Sequence, residues 1–289
     1  MAGDGKPRPG QLADSLVEAG PRSLVYVDER GQVRSIAAYR RRMARVLVGG
    51  GGFMAAVTVL YWQIAGPTGL AVGGALTVMM MRHVPAWVRM VRAARLMALS
   101  KHAEAEMLLR SVSGSRFTAS ASQRGRAEQM LAMLATTRQD HATALALLTS
   151  ALRRLPTDRR LRVQRRSAEY ARVVTLVNLD RLAEARTCFV GLPRVMEGDY
   201  LRIQRAYTEL YLALAEGERA FDRALLEEQA EQALAYPERR GWLTLLAWAY
   251  DRTGDTATVA RLLAEAATRP SEDRMRAMFP KLAAWLDAR

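Results

Sequence analysis

From Val46 to Met81 the chain carries no charged residue, a run of 36 positions in a sequence where charges otherwise recur every few residues. Such a run must be shielded from water on all sides, by protein or by lipid. Its first half, Val46 to Ala65, has 20 residues and as a helix reaches about 30 Å, the hydrocarbon thickness of a bilayer. Gly66-Pro67 predicts a tight turn. The second half, Thr68 to Met81, has 14 residues, or about 21 Å, and needs snorkelling by Arg82 and continuation through Trp87 to reach the interface.

The flanks predict an orientation. Arg41, Arg42 and Arg45 precede the run, and Arg82 follows it with Arg89, Arg92 and Arg95, while the turn is uncharged. Positive residues stay on the cytoplasmic side, so both termini are expected there. Tyr61, Trp62 and Trp87 stand where an interfacial aromatic belt would place them. Gly69-x-x-x-Gly73, with Gly74, supplies a small-residue face on which two membrane helices pack closely. The expectation is a transmembrane hairpin over 46–88, with helices at 46–65 and 67–88. Met1 to Arg45 is too polar for a secretory signal. Within it, residues 1–12 are rich in Gly and Pro, and 23–36 alternates as a small β-hairpin would.

Composition excludes more than it identifies. Half of the 289 residues are hydrophobic, too many for a disordered chain. Cys188 is the single cysteine, so neither an internal disulfide nor a Cys-based metal site can form. His83, His102 and His141 show no metal-ligand spacing, Gly49 to Gly52 lacks the Lys-Ser/Thr of a phosphate loop, and no nucleophile motif is present. No catalytic residue, metal or cofactor is therefore expected.

After Trp87 the sequence repeats. Five polar turns align, beginning at Ser100, Gln139, Asp180, Arg219 and Gly254, and a small sixth residue recurs at Ala105, Ala144, Ala185, Ala224 and Val259. Apolar residues at helical spacing precede and follow each turn, and Pro156, Pro193, Pro237 and Pro270 close the units. The stretch Trp242-Leu243-Thr244-Leu245-Leu246-Ala247-Trp248-Ala249-Tyr250-Asp251-Arg252-Thr253-Gly254-Asp255 is the clearest unit, followed by Leu179-Asp180-Arg181-Leu182-Ala183-Glu184-Ala185. These resemble tetratricopeptide repeats, over about 200 residues. The resemblance implies an all-α fold: an α-solenoid of about five helix-turn-helix units over 89–289, closed by a capping helix at Ser271 to Arg289. It also implies a concave surface on which the first helices place Tyr170, Tyr207, Tyr211 and Trp242 as anchors for a protein partner.

In architecture the chain resembles bacterial membrane-anchored tetratricopeptide proteins, which implies a scaffold or adaptor on the cytoplasmic face of the inner membrane. The alternative is a membrane-associated nucleic-acid-binding or regulatory module. Its basis is the basic segment 153–172, with Arg159, Arg162 and Arg166 at its centre. Nucleic acid is the less favoured partner, because no known recognition motif accompanies the arginines.

Overall fold

The computed structural model describes residues 25–27, 33–157, 161–193, 199–218, 220–234, 240–269 and 272–289. Among the described residues the fold is all-α apart from one two-stranded ribbon, β1 (Val25–Val27) and β2 (Val33–Ser35), which pair antiparallel with Tyr26 opposite Arg34.

Helix α1 (Ile36–Met81) contains the uncharged run and begins ten residues before it. It is broken at Gly66, whose φ of 56° and ψ of −134° lie outside helical space, and Pro67 follows inside the next turn. Only glycine adopts such a conformation without strain, and proline is tolerated because a helix start needs no N–H there. The predicted turn is thus where the backbone breaks. Among the described residues no single helix is long and apolar enough to cross a membrane. One bent pair, Trp62–Thr68 with Ala71–Ala98, passes by length and composition at an angle of 89°.

The segment expected to run from 67 to 88 stops at Met81. A turn at Arg82-His83 separates it from α2 (Val84–Ala98), with Pro85 in the first turn of the new helix. Helix α2 belongs with the array that follows. Its Ala86, Met90 and Ala93 are buried against Ala105, Leu109 and Val112.

The array alternates first and second helices. The first helices are α2, α4 (Ala121–Thr137), α6 (Arg162–Asn178), α8 (Asp199–Ala215) and α10 (Arg240–Thr253). The second helices are α3 (His102–Gly114), α5 (His141–Arg154), α7 (Leu182–Val190), α9 (Arg223–Leu234) and α11 (Thr256–Ala267). Two short helices, α12 (Glu272–Met278) and α13 (Pro280–Asp287), end the chain. Each first helix packs on the next first helix, so α2, α4, α6, α8 and α10 form one continuous layer.

The five turns between first and second helices share one geometry. Ser100, Gln139, Asp180, Gly217 and Gly254 all have positive φ. The residue after each donates its N–H five positions back: Lys101 to Leu96, Asp140 to Ala135, Arg181 to Leu176, Glu218 to Ala213 and Asp255 to Tyr250, at 2.8–3.2 Å. The positive-φ residue itself bonds three back, to Met97, Thr136, Val177, Leu214 and Asp251. This is the Schellman helix ending, which satisfies carbonyls that would otherwise be orphaned. In α5 and α11 the next residue caps the new helix, with Asp140 and Asp255 carboxylates accepting from the N–H of Thr143 and Thr258. Helix α4 starts differently, on a capping box of Ser120 and Gln123.

One repeat register differs from expectation. The fourth turn is centred on Gly217, not Arg219, and Ala224 is exposed. The buried slot held by Ala105, Ala144, Ala185 and Val259 elsewhere is filled by Leu226, with Ala230 and Ala233 continuing the stripe. Extra residues lie between Gly217 and α9, and they shift the apparent anchor without moving the packing.

Candidate functional site

The four aromatic residues expected on an open surface are not equivalent. Tyr170, Tyr211 and Trp242 are 1 %, 0 % and 2 % exposed. As open partner anchors these three are corrected: they are core, buried in one cluster that joins the later first helices to Met275, Phe279 and Leu282 of the C-terminal segment, where a large apolar ring gains most from burial. Burial pushes the Tyr170 and Tyr211 hydroxyls above the usual phenol range. Tyr207 is the partly exposed one, at the margin of the same core.

Tyr207 and Tyr211, one helical turn apart on α8, share a contact that the sequence did not announce. Both set their rings edge-on against Phe279, with centroids 5.9 Å and 4.8 Å apart. The Tyr211 hydroxyl donates to Asn178 Oδ1 at 2.7 Å, and Asn178 Nδ2 donates to the backbone carbonyl of Met278 at 3.0 Å. Asn178 ends α6, so α6 and α8 together hold one point of the C-terminal segment. Helices α12 and α13 also pack on α10, and α12 on α4. The segment expected to cap the end of the array instead lies across the face made by several first helices. The signal available in the sequence was the Met275, Phe279, Leu282, Trp285 spacing. It marks an apolar stripe but not the surface that receives it.

Among the described residues, four arginines of the basic segment are paired within the chain. Arg154 pairs with Glu128 at 3.2 Å, and Arg165 and Arg166 both pair with Glu169, at 3.2 and 2.5 Å. Arg172 faces Glu184 at 3.5 Å. Arg165 also donates to the carbonyls of Leu152 and Leu155, closing the C-terminus of α5. Arg162 is exposed and has an interaction of its own, and Arg159 lies outside the described residues. Paired guanidinium groups present a weaker field to a polyanion than the residue count suggests.

No family model, curated protein or solved structure matches this chain.

The residues expected to orient a membrane segment fall into two groups. Trp62 is half exposed, with Val48, Val59, Leu60, Ile64, Val72, Val78, Met79 and Met81 exposed along the same helix. Arg45 is exposed as well. The side chains of Arg41, Arg42 and Tyr61 lie outside the described set. Arg82 and Trp87 sit at the junction with the array: Arg82 Nε donates to His83 at 3.2 Å, and Trp87 packs on the α2–α4 core. Gln123 Nε2 donates to the His83 carbonyl at 3.0 Å, tying that junction to α4.

Among the described residues no group of three or more His, Cys, Asp or Glu side chains is placed to hold a metal ion. His141, buried at the start of α5, has its pKa lowered by burial, with Asp140 opposing the shift. Its Nε2 lies 3.1 Å from Gln139 Oε1, within the turn itself. His102 is partly exposed. Cys188 packs at the edge of the core beside the buried Phe189.

Proposed function

We propose that this protein is a membrane-anchored adaptor in which α1 inserts as a hairpin and the helix pairs form a tetratricopeptide-like solenoid that binds protein partners at the cytoplasmic face. The observation that carries the reading is the combination within one chain. An uncharged helical element carries Val48, Ile64 and Val78 at more than 70 % exposure, and it leads directly into an array of helix pairs joined by five turns of one geometry. Large apolar side chains left in water along a whole helix would be an aggregation liability, whereas lipid covers them at no cost. The break at Gly66 serves as the tip of the hairpin. The array offers what a scaffold needs: a continuous layer of first helices on which a partner can be held. Tethering raises the local concentration of whatever that face holds.

Membrane attachment is tested by alkaline carbonate extraction of the full chain. It is expected to stay with the membrane pellet, and release into the supernatant overturns the anchor. Topology is read in a Cys188→Ser background. An impermeant maleimide should label Gln63→Cys in intact cells and His102→Cys only after lysis. Crosslinking from the array in native membranes then identifies the partner, and capture of nucleic acid in place of protein would support the alternative built on the arginines.

A further inference from the structure

The C-terminal helices are bound the way a separate peptide would be. Phe279 is wedged between Tyr207 and Tyr211, and the Asn178 amide reads a backbone carbonyl, a contact open to any peptide main chain. On α10 one stripe at helical spacing receives the rest. Gly241 leaves the slot: a Cβ there would come within 3.2 Å of Phe279 and 3.3 Å of Met275. Trp248 stacks on Trp285 at 6.0 Å, and Asp251 accepts from Trp285 Nε1 and from Arg289, both at 2.9 Å. Asp180, in the α6–α7 turn, pairs with Lys281. The face is therefore apolar and aromatic at its centre, with carboxylates at two edges.

Several features make this occupant replaceable. Helices α12 and α13 have seven and eight residues, too few to be stable alone. The two ion pairs are solvent-accessible, and such pairs contribute little. A cleft open to solvent lies where the segment meets α10 and α11, lined by Arg240, Thr244, Leu263, Ala266, Met275 and Leu286.

We propose that the face formed by α6, α8 and α10 is a docking groove for an amphipathic helical peptide with an aromatic anchor and basic flanking residues, and that residues 272–289 occupy it as an internal competitor. The inference deepens the adaptor reading and rests on it for the array's binding role, but not on membrane attachment. A groove filled by its own chain binds an outside peptide with an affinity reduced by the fraction of time it is open.

The test uses the full chain in detergent and a fluorescent peptide with the sequence of residues 272–289. Phe279→Ala weakens the internal competitor, so the variant should bind the peptide about tenfold more tightly than the unaltered protein. Adding Gly241→Leu fills the slot and should return binding to the unaltered level. In the unaltered protein, excess peptide should speed amide exchange in 272–289 while α10 and α11 stay protected. The proposal fails if a folded Phe279→Ala variant takes up no more peptide than the unaltered protein, or if Gly241→Leu leaves its binding intact. It also fails if 272–289 exchanges only together with α10, since the segment would then be one cooperative unit with the core. Should Phe279→Ala unfold, the exchange experiment on the unaltered protein decides alone.

Discussion

Tyr211 carries two jobs through one side chain: its ring fills the core and its hydroxyl fixes Asn178, which in turn holds the Met278 carbonyl. The two jobs separate on mutation. Tyr211→Phe keeps the ring and should cost about 1 kcal/mol in chemical denaturation, the usual net worth of one hydrogen bond. Trp242→Ala removes a fully buried ring and should cost about 3–5 kcal/mol; a near-neutral result would mean that Trp242 is an exposed anchor after all. His141 makes a pH prediction. Its folded pKa is lowered by burial, so the native state resists protonation while the unfolded chain accepts it near the ordinary value. Its contribution is fully present above the unfolded pKa of about 6.5 and is lost as pH falls through that value toward the folded one. Asp140 and Asp255, whose carboxylates are held below the usual range by the Thr143 and Thr258 hydrogen bonds, act in the same direction at lower pH. Thermal melts should therefore decline on acidification below about pH 6.5, with His141→Gln removing the upper part of the decline. A melt unchanged between pH 7 and 5 in the unaltered protein would contradict this.

At the scale of elements the Schellman turn is the unit that repeats. Two of the five positive-φ positions are glycine, while Ser100, Gln139 and Asp180 hold the same conformation with a side chain. A side chain in that region is strained by about 1–2 kcal/mol, so Gln139→Gly should raise stability by up to about 1 kcal/mol once glycine's own entropy is counted. Gly254→Ala should lower it by a similar amount; denaturation midpoints moving the opposite way would refute the shared geometry. Ser120→Ala removes the capping box of α4 and should cost about 1 kcal/mol. Four of the five turn starts read from the sequence coincide with the positive-φ residue, because polar residues between two apolar stripes mark a helix ending locally. The fourth differs. Arg219 to Ala224 imitates the polar-then-small pattern, whereas Gly217 is the residue that takes the positive φ. A glycine directly after an apolar stripe was the better signal, since it reports backbone conformation and not merely polarity.

For the molecule as a whole, local chemistry along the chain accounts for the all-α class, the alternation of helices, the break at Gly66 and the uncharged stretch. Each depends on period, charge or a single backbone preference, and these act over a turn or two of chain. Which aromatic residues are buried could not be read that way. Tyr170, Tyr207, Tyr211 and Trp242 look alike in sequence, and the packing of the first helices with one another and with residues 272–289 makes three of them core and leaves one at the margin. Glu169 tempers the arginines of 153–172 locally, but only the fold brings Glu128 beside Arg154 and Glu184 beside Arg172. The location of residues 272–289 is the clearest case. Their apolar stripe is legible, but its receiving surface is assembled from Asn178, Tyr211, Gly241 and Trp248, up to 101 positions away in the pairing of Asp180 with Lys281. Amphipathic periodicity tells a helix that it must bury one face; only the packing of distant helices creates the face on which it is buried.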